Sequence, residues 1–302
     1  MVRSPTVRKT SRASVRRQNS LTAVLFASPA LLLYVLFLGL QVLFAFFITF
    51  NNWTTMRPPT WAGLDNYGRI FSDKLFWSSL RVTFSFSLMY VPGVVLAGLL
   101  AAVLLNRPIR GQYVFKALAF IPVLSAWIIV GVVWFFIYNP DHGILNALLR
   151  MVGLPTKPWL GLRETALPAL VVVGLWKNFG WFSVLFLAGL QDIPTDLHEV
   201  AAIDGASAWQ SFTNITLPLL RPTIALVTIL AAIGAFQVFD LVFVMTNGGP
   251  MYSTQTFSYY IYLTAFKSFK MGYAATMSFV LFGIILVLTV IQLRVLRPTA
   301  EF

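Results

Sequence analysis

The sequence predicts an all-α integral membrane protein with six transmembrane helices, and three observations support this class. Of the 302 residues, 58% are hydrophobic and only 11% are charged, with a mean hydropathy of +0.78, whereas a soluble domain is about half apolar and about a quarter charged. Six apolar runs each reach the roughly 20 residues that cross a bilayer as a helix. The segments between these runs are rich in turn-forming residues, and no soluble domain is recognisable among them.

The chain begins with a basic segment, residues 1–20, which contains six Arg or Lys residues and no acidic residue. A signal peptide also starts with positive charge, but its apolar core has only about 7–15 residues. The apolar run that follows, Leu21–Phe50, is longer and lacks a prompt small-residue cleavage pattern. We therefore expect a basic cytoplasmic tail followed by the first transmembrane helix.

Five further apolar runs complete a single transmembrane domain, residues 21–298, in which we find no internal repeat. They are predicted to span the membrane near Leu80–Leu105, Ala117–Tyr138, Ala166–Leu190, Leu217–Met245 and Ala274–Leu296. The longest predicted outer loop, residues 139–165, contains the amphipathic stretch GILNALLRMVGL. We expect this stretch to lie along the membrane surface rather than to cross the membrane.

Positive charge predicts that both ends of the chain face the cytoplasm. With this N-in, C-in orientation, the inner segments contain twelve Arg or Lys residues and the outer segments contain nine, which agrees with the positive-inside rule. The first inner loop has three cations and no acidic residue, whereas the outer loops contain four acidic residues.

Composition also excludes several function classes. The net charge of +12 is spread over short segments between apolar runs, as in a membrane protein, so no nucleic-acid partner is expected. The absence of cysteine excludes disulfides and thiolate metal sites. His142 and His198 have no partner at metal-ligand spacing, so no metal site is predicted.

The segment between the fourth and fifth predicted spans, residues 191–222, is polar and contains several turn residues. Asp196–Glu199 has the spacing of a capping box, which predicts a short helix that ends in left-handed backbone at Gly205. Ser207–Gln210 repeats that spacing and predicts a second short helix. Pro218 is expected at the junction between the second helix and the fifth span.

Two features suggest that this loop docks on another protein. Small side chains would permit close backbone approach at Ala201, Ala202, Ala206 and Ala208. Trp209 and Phe212 would expose apolar rings to water, which is unusual without a partner. Capped loop helices also occur in membrane proteins without such a role, so the spacing alone leaves docking and a purely structural function open.

At this loop the sequence resembles a known family. The stretch EVAAIDGA at Glu199–Ala206, followed by ITLPLLRP at Ile215–Pro222, resembles the EAA loop of permease subunits from bacterial ATP-binding-cassette (ABC) importers. Its form is similar to the carbohydrate-uptake branch related to maltose and glycerol-3-phosphate permeases, and TNGGP at Thr246–Pro250 resembles that branch as well. Val200 departs from the alanine that is common at this position of the family. The resemblance extends over essentially the whole chain after the basic tail.

This resemblance implies the type I permease fold of ABC importers, in which the loop at residues 191–222 couples the transmembrane helices to an ATPase. The coupling residues that it implies are Glu199, Ala201, Ala202, Asp204, Gly205, Ala206, Phe212, Leu217 and Pro218. It also implies a second homologous permease subunit, two ATPase subunits that bind ATP and Mg, an extracytoplasmic solute-binding protein, and a multi-pass location in the bacterial cytoplasmic (inner) membrane. The chain has no G-x-x-x-x-G-K-[ST] motif, so it is predicted to be no enzyme and to bind no cofactor.

Polar side chains within the predicted spans suggest a substrate pathway, because such groups usually face the bundle interior or a water-filled path. The candidates are Lys177, Asn178 and Trp181 in the fourth span and Gln237 and Asp240 in the fifth. Amides and an aromatic ring suit a sugar, whose hydroxyls need hydrogen bonds and whose CH face stacks on rings. The alternative for Lys177 is structural, since it could snorkel or pair with Asp240.

The outer turn formed by Thr246, Asn247, Gly248, Gly249 and Pro250 is expected to contact the solute-binding protein, although its composition also suits a flexible reversal. The expected cargo is a disaccharide or oligosaccharide, with glycerol 3-phosphate or another polyol phosphate as the alternative. A stand-alone channel or secondary transporter is a further alternative, but the sequence lacks the expected inverted repeats and charged relay. The polar residues within the spans argue against a membrane scaffold without transport activity.

Overall fold

The computed structural model describes residues 24–107 and 110–296, which form a helical bundle with one small β-hairpin. In chain order the elements are α1 (Val24–Thr49), β1 (Asn51–Thr54), β2 (Arg57–Trp61), α2 (Asp65–Ser72), α3 (Lys74–Leu105), α4 (Gln112–Leu124), α5 (Trp127–Ile137), α6 (Ile144–Met151), α7 (Arg163–Gln191), α8 (Thr195–Ile203), α9 (Ala208–Leu219), α10 (Arg221–Phe236), α11 (Asp240–Met245), α12 (Phe257–Tyr262) and α13 (Met271–Val295). Four of these helices, α1, α3, α7 and α13, are long and apolar enough to cross a membrane, and they coincide with the predicted first, second, fourth and sixth spans. The predicted basic tail, residues 1–20, lies outside the described residues.

The predicted third span is bent rather than continuous. Its two halves, α4 and α5, meet at 97°, because Ser125 and Ala126 between them have extended backbone. The run remains apolar through the bend, so hydropathy alone could not reveal it. Helical hydrogen bonding is therefore interrupted within an apolar segment, and the carbonyl groups at the end of α4 need other partners.

The predicted fifth span, Leu217–Met245, differs from the structure at both ends. Its regular helix is α10, which leaves α9 at an angle of 65° and ends at Phe236. Pro222 in the first turn of α10 lacks the N–H that a helix continuous with α9 would need. If each bent pair counts as one span the described residues contain six candidate spans, and otherwise four.

The all-α prediction needs one correction, because β1 and β2 form an antiparallel hairpin in the predicted outer loop after α1. Asn51 pairs with Trp61 and Asn52 with Thr60. Pro58 and Pro59 concealed this hairpin in the sequence, because proline has no N–H for a sheet ladder. A two-stranded sheet tolerates them since both of its strands are edges.

The core lies where α3 packs along α7, with α10 against both helices. Its fully buried side chains include Phe86 and Val94 from α3 and Leu170, Val173 and Phe186 from α7. Helices α1 and α13 instead expose many apolar side chains, as expected for helices that face lipid. The cavity described below opens beside this core.

Asp73 joins the ends of three helices in the predicted outer region. Its Oδ1 accepts the N–H groups of Leu75 (2.9 Å) and Phe76 (3.2 Å), and its Oδ2 accepts the hydroxyls of Tyr260 and Tyr273, both at 2.7 Å. Burial opposes the ionised form, but the four hydrogen bonds outweigh it and lower the pKa of Asp73 below its usual value. The ionised carboxylate therefore caps α3 and ties it to α12 and α13.

Candidate functional site: coupling loop and substrate cavity

The predicted coupling loop starts with a helix whose first turn differs from the sequence prediction. Helix α8 begins at Thr195 with Pro194 as its N-cap, and no side chain caps it. Asp196 therefore lies within the first turn and does not form the predicted capping box with Glu199. The φ of −59° at Pro194 suits helix entry, and an acidic residue in the first turn still interacts favourably with the helix dipole.

Gly205 ends α8 in the left-handed conformation that the sequence predicts, with φ of +78°. Its N–H donates to the Ala202 carbonyl at 3.1 Å, and the Ala206 N–H donates to the Ala201 carbonyl at 2.9 Å. These two bonds form a Schellman motif with Asp204 as the C-cap. A β-carbon on Gly205 would meet no other atom within 4 Å, so the backbone angle, not the space, requires glycine.

Helix α9 starts with the predicted capping box. The Ser207 Oγ accepts the Gln210 N–H at 3.3 Å, and the Gln210 Oε1 accepts the Ser207 N–H at 2.8 Å. The helix then continues further than predicted, through a π-helical turn at Phe212–Thr216. Leu217 and Pro218 consequently lie in the last turn of α9, ahead of the bend, and not within the fifth span itself.

One contact that the sequence did not reveal joins the two short helices. His198 Nδ1 lies 2.8 Å from the Ser211 Oγ, so α8 and α9 are linked on either side of the glycine turn. The Trp209 and Phe212 rings pack 6.0 Å apart on α9. We call this unit, residues 195–219, the coupling hairpin.

The coupling hairpin presents apolar side chains to solvent. No residue of α8 is buried, and Val200, Ile203 and Trp209 are 56%, 85% and 72% exposed. Glu199 and Ala202 on the same helix are exposed as well. Exposed apolar side chains grouped in this way are typical of an interaction surface, which favours docking over a purely structural role for the loop.

Three of the predicted pathway residues line one cavity. Asn178, Gln237 and Asp240 lie in the wall of a cavity of about 270 Å³, to which Tyr90 and Trp127 contribute aromatic rings. The Asn178 Nδ2 donates to the Tyr90 hydroxyl at 2.6 Å. Sequence analysis missed Tyr90, although a phenol in the middle of a predicted span is the kind of polar group that marks such sites.

Lys177 supports the bent third span instead of lining the cavity. Its side chain is 3% exposed, and its Nζ donates to the carbonyls of Pro122 (3.2 Å) and Val123 (3.1 Å) at the end of α4. The ammonium also lies 4.7 Å from the centre of the Trp127 ring. The structural alternative for Lys177 is therefore favoured, but with backbone carbonyls as partners in place of Asp240.

Trp181 lies against α4 and outside the cavity wall. Its ring is 44% exposed and its centre is 6.4 Å from that of Phe120. The preceding residue, Gly180, allows the backbone of α4 to approach α7, because a β-carbon there would overlap the Ala119 carbonyl. This stretch of α7 therefore supports α4, one turn away from the cavity residue Asn178.

The predicted binding-protein turn is an extensively hydrogen-bonded loop. The Thr254 hydroxyl lies 2.7 Å from the Gly249 carbonyl and 2.8 Å from the Thr246 hydroxyl. Gly248 is buried with φ of +80°, whereas Asn247 is exposed with φ of +50°. The loop therefore has a defined conformation held by side chains on both of its arms.

The most exposed residues of this loop follow the predicted turn. Met251 and Tyr252 are 83% and 57% exposed, and both have left-handed backbone, with φ of 49° and 61°. Residues other than glycine rarely adopt this conformation. The sequence prediction ended at Pro250 and missed this tip, for which no local motif gave a signal.

Comparisons with known proteins extend over nearly the whole chain. The family described as the inner membrane component of binding-protein-dependent transport systems matches residues 83–298. The trehalose/maltose transport system permease protein MalF of Thermococcus litoralis is 37% identical over 89% of this chain and 91% of its own. The lactose transport system permease protein LacF of Rhizobium radiobacter is 31% identical over 95% and 98%. In the crystal structure of a bacterial ABC transporter involved in alginate import, one chain has a TM-score of 0.81 at 22% identity, over 96% of this chain and 99% of that one, which shows a shared fold.

Proposed function

Because the chain belongs to the family of inner membrane components of binding-protein-dependent transport systems, we propose that it is the transmembrane subunit of an ATP-driven importer for a disaccharide or oligosaccharide. The chain is a multi-pass protein of the cytoplasmic (inner) membrane. The coupling part of this proposal depends mainly on one observation, the exposed apolar surface of the coupling hairpin. The sugar part is supported by relatives named for trehalose/maltose and lactose transport.

In the proposed mechanism the coupling hairpin docks on a separate ATPase subunit, which binds ATP and Mg and performs the hydrolysis. The exposed Glu199 carboxylate makes a charge-assisted contact with a cationic or N–H donor of that subunit. Asp204 and Gly205 set the angle between the helices, and the small side chains of Ala202 and Ala206 allow close approach. The bend between α9 and α10 passes the motion of the hairpin to the fifth span. This chain itself has no catalytic residue and binds no cofactor.

The proposed assembly has this chain as half of the translocation pathway. The bent pair of α4 and α5 counts as one span and α10 provides the fifth, which gives six spans with N-in, C-in orientation and the coupling hairpin in the cytoplasm. A second homologous permease subunit completes the pathway, and two ATPase subunits dock from the inside. The solute-binding protein contacts Thr246–Pro250 from the outside, together with the exposed tip at Met251 and Tyr252.

The cavity chemistry supports a neutral sugar over a phosphorylated polyol. Its polar lining includes two amides, Asn178 and Gln237, the Tyr90 hydroxyl and the Asp240 carboxylate. These groups can donate to and accept from sugar hydroxyls, whereas a carboxylate repels a phosphate. The nearby Lys177 ammonium is already bound to carbonyl groups, so it is a poor candidate for a phosphate site.

A stand-alone channel or secondary transporter is the alternative from another class. It would need no docking partner, and it would leave exposed Ile203 and Trp209 without a function. The importer proposal explains these side chains through the ATPase surface that covers them.

The test of the proposed function is transport by the complete complex. This chain, its partner permease and the ATPase are purified together, reconstituted in proteoliposomes and supplied with the solute-binding protein. We expect uptake of a disaccharide or oligosaccharide that requires both ATP and the binding protein. Uptake of glycerol 3-phosphate in preference to every sugar would establish the alternative cargo, and uptake without ATP would refute the importer assignment.

The same assay tests the cavity. We expect Asn178→Ala and Gln237→Ala to raise the KM for uptake about tenfold, since each removes a hydrogen bond to the cargo. Trp181 lies outside the cavity wall, so Trp181→Ala tests whether its ring contacts the cargo elsewhere on the pathway. Its matched control is Trp176→Ala, because Trp176 is 42% exposed on the same helix. Wild-type uptake in Asn178→Ala, Gln237→Ala and Trp181→Ala alike would contradict the pathway.

A further inference from the structure

A second cavity opens on the predicted outer side of the molecule, beside the tip formed by Met251 and Tyr252. Its volume is about 550 Å³, against about 270 Å³ for the cavity beside the core, and volumes of roughly 300–1,000 Å³ are typical of ligand pockets. Its wall is formed by the end of α2, the start of α3, α12 with the turn after it, and the first turn of α13. We call it the outer cavity.

The outer cavity has an exposed rim and a buried polar floor. Arg69 and Lys270 are exposed, whereas Gln255 and Thr264 are only 3% and 4% exposed. The Gln255 Nε2 donates to the Ser79 Oγ at 3.2 Å, which fixes the floor against α3. A side chain that enters from outside would therefore meet cations first and fixed hydrogen-bonding groups below them.

Positive charge predominates in the outer cavity. Its wall contains two cations, Arg69 and Lys270, and one carboxylate, Asp73. Both oxygens of that carboxylate already accept hydrogen bonds, Oδ2 from the Tyr260 and Tyr273 hydroxyls. The Arg69 guanidinium lies 5.4 Å from the centre of the Tyr273 ring, which positions it at the rim. The cavity therefore carries a net positive charge and favours an anionic occupant.

The exposed tip and the outer cavity are continuous, because Tyr252 belongs to both. This residue is 57% exposed, has left-handed backbone with φ of 61°, and contributes to the cavity wall. A protein that contacts the tip from outside would therefore also cover the rim beside Arg69. Transport systems of this family depend on a binding protein, which favours a protein occupant over a lipid headgroup.

We propose that the outer cavity receives an aspartate or glutamate side chain of the solute-binding protein, whose carboxylate binds Arg69 and Lys270. This proposal rests on the proposed importer function and orientation, and it adds a second contact site for that protein beyond residues 246–252. Two cations can each donate a charge-assisted hydrogen bond to one carboxylate. Because both cations are exposed in the free permease, they would also attract an acidic surface before contact, which raises the rate of association.

The test measures how the ATPase activity of the reconstituted complex depends on the concentration of the solute-binding protein. We expect Arg69→Gln and Lys270→Gln each to raise the half-saturating concentration about fivefold to tenfold, with the maximal rate within about twofold of wild type. Added salt should raise this concentration more steeply for wild type than for either variant, because salt screens exposed charges. Arg69→Lys keeps the charge and should lose less affinity than Arg69→Gln.

Arg57→Gln and Lys74→Gln are the matched controls and should behave as wild type, since both residues are exposed cations of the predicted outer side and neither lies in the wall of the outer cavity. If Arg69→Gln does not assemble with its partners because its contact with Tyr273 is lost, Lys270→Gln decides the test.

Wild-type half-saturation in the cavity variants, or an equal increase in the controls, would overturn the proposal and leave the importer function standing. An effect confined to vesicles that contain phosphatidylglycerol would assign the two cations to lipid headgroups and overturn the proposal as well. If the solute-binding protein does not stimulate the wild type at any concentration, the importer assignment fails together with the proposal.

Discussion

Two short helices of this protein, α6 and α8, end in the same local motif. At the end of α6 the Gly153 N–H donates to the Arg150 carbonyl at 3.1 Å and the Leu154 N–H to the Leu149 carbonyl at 2.8 Å. The glycine has φ of +74°, against +78° at Gly205 in α8. Both helices therefore end in a Schellman motif of the same geometry.

The surroundings of the two helices differ. Asn146 of α6 is completely buried, and its Nδ2 donates to the Pro140 and Lys157 carbonyls, both at 3.0 Å, while its Oδ1 accepts the Trp159 Nε1–H at 2.9 Å. Helix α8 has no buried residue, and one hydrogen bond from His198 connects it to α9. Helix α6 is therefore secured by buried hydrogen bonds to its own chain, whereas α8 remains exposed to solvent.

A cap alone therefore gives a helix in a loop no function. The cap defines where the helix ends, and the side chains on the helix decide whether it packs on its own chain or presents a surface. The exposed apolar residues of α8 make it the helix that another subunit would cover.

The largest expected effect on uptake comes from substituting the glycine that ends α8, Gly205, and the glycine that ends α6, Gly153, should not show it. Gly205→Val and Gly205→Asp place a β-carbon in left-handed backbone, which costs about 1–2 kcal/mol, at the end of a helix that has no buried residue to hold it in place. We expect loss of ATP-driven uptake by at least about tenfold, with normal membrane insertion. Proteoliposome uptake and stimulated ATPase activity measure the effect.

Gly153→Val is the matched control because it creates the same strain in a helix that Asn146 secures. A β-carbon on Gly153 would also meet no atom within 4 Å, so neither variant introduces a clash. We expect the control to retain uptake. Equal losses in both variants would mean that the strain alone disables the protein and that α8 has no special part in coupling.

A smaller effect is expected from the exposed apolar side chains of the two helices. Ile203 on α8 is 85% exposed and Met151 on α6 is 81% exposed. If the ATPase buries Ile203, Ile203→Ser removes about 1.5–3 kcal/mol of apolar burial and weakens ATPase binding about tenfold or more. Met151→Ser should leave binding unchanged. Titration of the ATPase into the purified permease pair measures both, and unaltered affinity in Ile203→Ser would exclude that residue from the interface.

For the stability of the protein, the order of the two helices should be reversed. Loss of the Asn146 hydrogen bonds in α6 should lower Tm more than loss of the His198 hydrogen bond in α8. Asn146→Ala leaves the Trp159 Nε1–H and two carbonyls without their buried partner, and the expected loss is about 1–3 kcal/mol. His198→Ala removes one hydrogen bond in an exposed hairpin, so its effect on Tm should be smaller. Thermal unfolding of the purified complex compares them. A larger Tm decrease in His198→Ala would contradict the conclusion that α6 is secured by buried hydrogen bonds and α8 is not.

The sequence predicted the parts of the fold that depend on local composition. Hydropathy located the four long helices, but it did not detect the bend at Ser125 because the residues on both sides remain apolar. That bend is stabilised by Lys177, which lies more than fifty residues away and binds the freed carbonyls. The sequence did not reveal the hairpin of β1 and β2 for a related reason. Pro58 by itself indicates a loop, and only the pairing with β1 shows that its segment is a strand.

In the candidate site, too, the features that depend on local sequence were predicted and those that depend on distant contacts were not. Gly205 and the Ser207 capping box follow from short-range backbone chemistry, and both were predicted from spacing. The predicted cap at Asp196 is wrong because Pro194 is the N-cap of α8, which places Asp196 within the first turn. The contact of Asn178 with Tyr90 joins residues 88 positions apart, so spacing along the sequence could not reveal it.

The smallest expected effect concerns Asp73, which, like Asn146, holds elements of the predicted outer region together through side-chain hydrogen bonds. Its pKa in the folded protein lies below the ordinary value of 3.8, so its stabilisation is complete above that value and is lost as the pH falls through the folded pKa. Asp73→Asn should therefore lower Tm at neutral pH, and the difference from wild type should narrow only below about pH 3.8. Asp65→Asn, an exposed acidic residue in the first turn of α2, is the control and should change Tm little. If the Tm difference between Asp73→Asn and wild type stays constant down to about pH 3, the ionised carboxylate is not what joins α3, α12 and α13. The contact between these helices would then depend on packing rather than on charge.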